Sequence, residues 1–178
     1  TNNLSDAVKD IENGGFYPEG SLAKLVNINS EGNKTISFTD NFGQVILARK
    51  ENNNGSKRND TYYLFDLKGR LSKIIPPGAT PSDDELIYSY KYDGRGNKIE
   101  INVPGKEKEV FVYNEKGQTV AKQNYQLKTQ SKWFVNEYDA YGRIVISGTV
   151  NGNATKPSPV NLFASEIWGQ TNYGNSGL

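Results

Sequence analysis

Across residues 21–150 apolar and polar positions alternate with a period of two, not 3.6. That pattern predicts half-buried strands rather than amphipathic helices. The alternation falls into short runs at residues 22–28, 34–39, 44–49, 61–65, 70–75, 86–92, 97–103, 109–113, 118–124, 133–138 and 143–147. Tyr88, Tyr90 and Tyr92 share one face of their run, opposite Ser89 and Lys91. Ile99, Ile101 and Val103 likewise alternate with Lys98, Glu100 and Asn102. Residues 1–15 hold the one helical pattern, with Ser5 as cap, Ala7, Val8 and Ile11 on one face and Gly14 as the stop. The expected organisation is a lead-in at 1–20, a β-hairpin array at 21–150, and a linker with one further strand near 162–168 in 151–178.

The breaks between runs carry a recurring figure: an aromatic residue, an acid, two spacers, a glycine and a long polar side chain. Tyr138-Asp139-Ala140-Tyr141-Gly142-Arg143 is the fullest copy, joined by Phe65-Asp66-Leu67-Lys68-Gly69-Arg70 and Tyr92-Asp93-Gly94-Arg95-Gly96-Asn97. Weaker copies are Tyr113-Asn114-Glu115-Lys116-Gly117-Gln118 and Thr39-Asp40-Asn41-Phe42-Gly43-Gln44, and a degenerate one is Ile28-Asn29-Ser30-Glu31-Gly32-Asn33. From Asp40 onward the acid positions stand about 21 to 27 residues apart, a spacing that marks a repeat architecture.

The figure has a mechanism. An Asp or Asn at the first position of a turn accepts hydrogen bonds from backbone N–H groups further on. A glycine three residues later supplies the positive φ of a hairpin bulge. Asp40, Asp66, Asp93, Asn114 and Asp139 should therefore open hairpin turns, and Gly43, Gly69, Gly96, Gly117 and Gly142 should have positive φ. The residue after the glycine should restart the ladder. Arg70 and Arg143, at that place, should stack on the aromatic residue before the acid. Between hairpins, residues 50–60 read as a polar, mobile connection, Pro76-Pro77-Gly78 as a fixed corner leading to Asp84, and Pro104-Gly105 as a tighter corner.

Composition narrows the function classes. The 21 basic and 20 acidic residues leave no electrostatic footprint for nucleic acid or an anionic membrane. There is no Cys and no His, which removes disulfides, thiolates, the commonest metal ligand and the commonest general base. No apolar run approaches the roughly 20 residues that span a bilayer as a helix. Tyr outnumbers Phe 11 to 7, which suits broad half-exposed sheets. With Thr1 first and no Met anywhere, the chain is expected to be part of a longer polypeptide.

The remaining chemical candidates are outweighed by plainer readings. Asp83-Asp84-Glu85 is the densest acidic cluster, but neighbours in a loop point in unrelated directions, and acid–base pairs need fixed separations. Asp93-Gly94-Arg95-Gly96-Asn97 lacks the alternating oxygen ligands of a calcium loop and the strand-to-helix setting of a phosphate loop. The Tyr88, Tyr90 and Tyr92 stripe could stack a sugar or a base, though aromatic residues favour strands in any case. Trp133 and Trp168 read as packing residues. Asn33, Asn54, Asn59 and Asn153 lie in glycosylation sequons, which matter only on a eukaryotic export route.

Residues 17–150 resemble the RHS, or YD, repeat family. Tyr92-Asp93 with Gly96, and Tyr138-Asp139 with Gly142 and Arg143, match the family's Tyr-Asp-x-x-Gly-Arg core. Ile75-Pro76-Pro77, Val103-Pro104-Gly105 and Val112-Tyr113-Asn114 look like the branch found in large exported bacterial proteins, including type IX secretion cargo. This chain departs from the pattern with Thr39 and Asn114 in place of Tyr and Asp, and with Gln44, Asn97 and Gln118 in place of Arg.

The resemblance implies an all-β antiparallel hairpin array, a curved single-layer sheet that forms one stretch of a YD-repeat shell. It implies a secreted or cell-surface bacterial protein that encloses, presents or delivers a C-terminal passenger, often a toxin. Related shells occur in insecticidal toxin complexes. The implied partners are the rest of the polypeptide, the passenger and secretion machinery, with no nucleic acid, no cofactor, no metal and no catalytic residues. The site residues it implies are structural: Asp40, Gly43, Asp66, Gly69, Arg70, Asp93, Gly96, Asn114, Gly117, Asp139, Gly142 and Arg143. A cell-surface adhesin or glycan-binding repeat module is the alternative.

Overall fold

The computed structural model describes residues 8–10 and 15–152. Among them the chain is the all-β hairpin array that the alternation predicts. Eleven strands pair antiparallel in one open sheet, in the order in which the chain makes them. They are β1 (Ala23–Ile28), β2 (Lys34–Thr39), β3 (Val45–Glu51), β4 (Arg58–Phe65), β5 (Leu71–Ile75), β6 (Tyr88–Tyr92), β7 (Lys98–Asn102), β8 (Glu109–Tyr113), β9 (Thr119–Gln123), β10 (Lys132–Tyr138) and β11 (Ile144–Asn151). One short helix, α1 (Tyr125–Thr129), joins β9 to β10.

The hairpins share an irregularity that sets which residues face inward. Thr39 pairs with Val45, Phe65 with Leu71, Tyr113 with Thr119 and Tyr138 with Ile144. The next pair in each ladder skips a residue, leaving Ile46, Ser72, Val120 and Val145 as the extra member of a bulge. The residue after the glycine therefore does not restart the ladder; the one after it does. The bulge also interrupts strict alternation. Ile46 and Leu47 are both buried, as are Val120 and Ala121.

The chain divides into two compact units, Thr1–Ser89 with Val103–Gly105, and Tyr90–Asn102 with Lys106–Leu178. In the first, Val8, Ile36, Phe38 and Leu47 form one cluster, flanked by Tyr17, Leu22 and Tyr62. Leu64, Ile75 and Ile87 form a second, flanked by Tyr62 and Ala79. In the second unit Val112, Val120, Ala121, Trp133 and Val135 pack together beside Val110, Tyr138 and Val150. Each cluster is drawn from neighbouring hairpins, as expected where repeats bury surface mainly against their neighbours.

Several local expectations are corrected. No helix runs through the described part of residues 1–15: Lys9 pairs antiparallel with Phe16, and Tyr17 N–H donates to the Val8 carbonyl at 2.9 Å. Val8 is 3% exposed and packs on β2 and β3, so burial of one side chain against a sheet outweighs a two-turn helix, which is marginal alone. Ser5, Ala7, Ile11 and Gly14 lie outside the described residues, as do Asn153, Trp168 and the strand expected near 162–168. Strand enters residues 50–60 from both ends, leaving 52–57 as the loop between β3 and β4. Asn102 is buried at 5% exposure, against the alternation that set it on the polar face of its run. α1 went unpredicted because it is one turn long; its signal is Asn124, whose side chain accepts the Leu127 N–H. Ser131 then reverses the chain with a φ of 52°.

Lengthening of β3 and β4 has a polar cause. Arg49 and Asp60 stand directly opposite each other across the two strands. Arg49 is fully buried; its Nε donates to Asp60 Oδ1 at 2.8 Å and its Nη2 to Oδ2 at 3.0 Å. Arg58 donates to the same carboxylate at 3.2 and 3.1 Å, and the Phe38 ring lies 5.4 Å from the Arg49 guanidinium. A buried pair of this kind is harmed far more by losing one partner than by losing both. Asp60→Ala should therefore cost about 3–5 kcal/mol in urea unfolding, whereas the double replacement Arg49→Met with Asp60→Leu, which removes both partners, should change stability by a much smaller amount.

Candidate functional site

The feature most repeated in this molecule is the acid–glycine turn, and its geometry follows from the acid. At the Asp40 turn, Oδ1 accepts the Phe42 N–H at 2.9 Å and the Gln44 N–H at 2.8 Å. Asp66 accepts from Lys68 and Arg70, Asp93 from Arg95 and Asn97, and Asp139 from Tyr141 and Arg143, all between 2.8 and 2.9 Å. Asn114 does the same with Lys116 and Gln118 at 3.0 Å. In each turn the acid's own N–H donates to the carbonyl of the residue after the glycine, and the glycine N–H donates back to the acid's carbonyl. The N–H of the residue after the glycine is taken by the side chain, which is why the ladder restarts one residue later.

The five glycines have φ of 80° at Gly43, 75° at Gly69, 95° at Gly96, 77° at Gly117 and 84° at Gly142. At Gly142 the constraint is double. The backbone is left-handed, and a Cβ there would lie 2.9 Å from Gln118 Nε2. The sequence undercounts this turn: Asn29 accepts from Glu31 and Asn33, with Gly32 at 82°, so the degenerate copy folds like the others. Asn52 builds a version one residue longer, accepting the Lys57 N–H, with Gly55 at 71°.

The second carboxylate oxygen divides the turns into types. Arg70 Nε donates to Asp66 Oδ2 at 2.7 Å, Asn97 Nδ2 to Asp93 Oδ2 at 2.9 Å, and Arg143 Nε to Asp139 Oδ2 at 2.7 Å. Arg143 thus binds its own turn; its guanidinium lies over Tyr141 at 5.3 Å, not over Tyr138. Tyr138 instead donates its hydroxyl to the Thr119 carbonyl at 2.9 Å. At Asn114 the second atom is a donor, and it faces an acceptor: Asn114 Nδ2 donates to Gln118 Oε1 at 2.8 Å. The two departures from the repeated figure therefore compensate each other.

Gln118 then spends its own amide on the next turn, donating to the Gly142 carbonyl at 3.3 Å. Gln44 makes the same reach, to the Gly69 carbonyl at 2.8 Å. Asn33 Oδ1 accepts the Asn53 N–H at 3.2 Å, tying the degenerate copy to the longer one. Glutamine in place of arginine thus adds a strap to a neighbouring turn: Gln118 keeps the bond inside its own turn as well, whereas Gln44 makes the strap alone.

The other singled-out residues take local roles. Asp83 Oδ2 accepts from the N–H and hydroxyl of Thr80 at 2.7 and 2.8 Å, closing its own loop. Among the described residues no group of three acidic, His or Cys side chains is placed to hold a metal ion. Asp93 to Asn97 is a turn. The Tyr90 ring is covered on one face by Lys98 Nζ at 4.5 Å. Trp133 is 2% exposed inside its apolar cluster. Among the described residues no helix is long and apolar enough to cross a membrane.

No family model matches this sequence, and no curated protein does. Solved structures do. A TcdB2-TccC3 structure aligns over 78% of this chain with a TM-score of 0.59 and 17% identity. A TcdB2-TccC3-Cdc42 structure gives the same values, and TcdB2-TccC3-TEV gives 0.56 and 16%. The chain spans about 8% of the length of those chains. The likeness is one of fold.

The bonds onto these acids carry a pH dependence. The Arg70 side chain holds Asp66 below the usual carboxylate range, the Asn97 side chain does so for Asp93, and the Arg143 N–H does so for Asp139. A depressed folded value means that the contribution is present above the ordinary carboxylate pKa and is lost as pH falls through the folded one. Thermal unfolding should therefore be flat from neutrality to roughly pH 5 and decline below it. Asn114→Asp should add to that acid sensitivity, which melting curves at pH 7 and pH 3 would register.

Proposed function

We propose that this chain is a wall segment of an RHS/YD-repeat shell, a structural part of a longer protein that encloses, presents or delivers a C-terminal passenger. The observation that carries this reading is the sheet: eleven strands in chain order, built on one repeated acid–glycine turn, with each end strand paired on one side only among the described residues. Every residue of β1 is exposed, including Leu25 and Ile28. An apolar strand with an open row of N–H and C=O groups invites a further strand. The fold shared with the TcdB2-TccC3 chains supports the same reading, since the resemblance carried by the turns extends to the shells of insecticidal toxin complexes.

The reading assigns no enzymatic activity, because the repeated residues bond to one another and leave no nucleophile with a base. It places the protein outside the bacterial cell, and the proline corners at Pro76-Pro77 and Pro104 favour an exported branch, type IX cargo among them. A toxin is the passenger class that the resemblance favours. The glycan-binding alternative is weaker, since Lys98 already occupies a face of Tyr90.

Hydrogen exchange tests the wall. In residues 1–178 alone, the β1 and β11 amides should exchange fast while those of β2 to β4 are protected. In the full product of the reading frame they should slow to match the inner strands; unchanged rates would count against a continuous wall. Limited proteolysis of that product should spare the C-terminal passenger until the wall is cut, and early cleavage of the passenger would refute enclosure.

A further inference from the structure

In the first unit the turns at Asp40 and Asp66 flank a groove of about 430 Å³. Its apolar lining includes Tyr17, Phe42, Ile46, Tyr63, Phe65 and Leu67. Phe42 is 89% exposed, a large aromatic ring with little packed on it. Asp40, Asp66, Gln44, Lys68 and Gly69 supply the polar part.

The two acids differ. Both oxygens of Asp66 are engaged, Oδ1 by two amides and Oδ2 by the Arg70 guanidinium. Asp40 Oδ1 is engaged in the same way, but Gln44 has turned to the Gly69 carbonyl, and Asp40 Oδ2 has no hydrogen-bond partner among the described residues. At three other turns of this chain the equivalent oxygen receives a side-chain N–H, and at two of them the donor is a guanidinium.

We propose that the groove between the Asp40 and Asp66 turns binds an arginine side chain of a partner peptide, whose guanidinium donates to Asp40 Oδ2 and stacks on the aromatic lining. A guanidinium is planar, weakly hydrated and suited at once to a carboxylate and to aromatic faces. A lysine ammonium is a compact, strongly hydrated charge and gains less from those faces. A sugar needs donors as well as acceptors, and the amide of Gln44 is already given to Gly69. Lys68, the cation on the lining, belongs to the opposite turn.

The probe is N-acetyl-arginine amide, titrated into the isotopically labelled chain and followed in amide NMR spectra. The Phe42 and Gln44 signals should shift saturably, and N-acetyl-citrulline amide, of the same shape without charge, should leave them in place. Asp40→Asn keeps the turn, as Asn114 shows an amide can, and should weaken binding at least about tenfold, as expected for a lost charge-assisted bond. Gln44→Arg should occupy Asp40 Oδ2 from within and abolish the response. Absence of a saturable shift, equal shifts with citrulline or N-acetyl-lysine amide, or binding retained in both variants would overturn the proposal.

Discussion

One side-chain oxygen governs this molecule. In each repeated turn Oδ1 of an Asp or Asn accepts the amides two and four residues on, and the bond to the fourth decides the rest. That amide is withdrawn from the sheet, so the ladder must restart one residue later. The restart brings a bulge with it, and the bulge sets which side chains of the outgoing strand face the core. Leu47 and Ala121 reach their clusters because of a bond made several residues earlier at Asp40 and Asn114. Gly142 shows the other half of the requirement, since its left-handed backbone brings the chain back to the acid and its missing Cβ leaves room for Gln118.

That dependence explains what was legible in the sequence. The strands were legible because alternation and turn chemistry agree, and agreement across levels is what makes a fold readable. The turns at Asn29 and Asn52 were harder to see, since neither has the aromatic and acid together, yet Oδ1 of an amide accepts as well as that of a carboxylate. The bulge was hidden because it arises from hydrogen bonding, not from any residue type at its own position: Ile46, Val120 and Val145 are β-branched residues that any strand would carry, and Ser72 is polar. Nothing in the alternation of its run marks Arg49 as buried. Its role appears only once register places Asp60 opposite it, and sequence alone does not pair residues across a loop.

The candidate site was legible in part, and for a similar reason. The acids and glycines were found by spacing. What the residue after the glycine does was not, because its choice lies between two partners of nearly equal reach. Arginine has a long fork and folds back onto its own acid, as at Asp66 and Asp139. Glutamine carries a neutral amide whose N–H reaches a neighbouring turn in two places, while at Asn114 its oxygen still accepts from the turn's own side chain. The departures from the repeated figure are therefore a second kind of joint, not decay of the first.

These two joints distribute cohesion differently. A turn that satisfies its own acid is stable by itself and says nothing to its neighbour. A strap from Gln44 to Gly69, or from Gln118 to Gly142, makes the spacing of adjacent hairpins part of the bonding. Because the apolar clusters are small and drawn from neighbouring hairpins, such straps sit where a nearest-neighbour structure most needs coupling. The same substitution has a cost and an opening. At Asn114 the partner acid has changed with it, so every polar atom is matched. At Asp40 the acid has stayed, and the strap leaves one carboxylate oxygen without a side-chain donor in a residue that lines the groove beside Phe42. Among the described aspartate turns the second oxygen is thus left without a side-chain donor at Asp40, the turn where glutamine, not arginine, follows an unchanged aspartate.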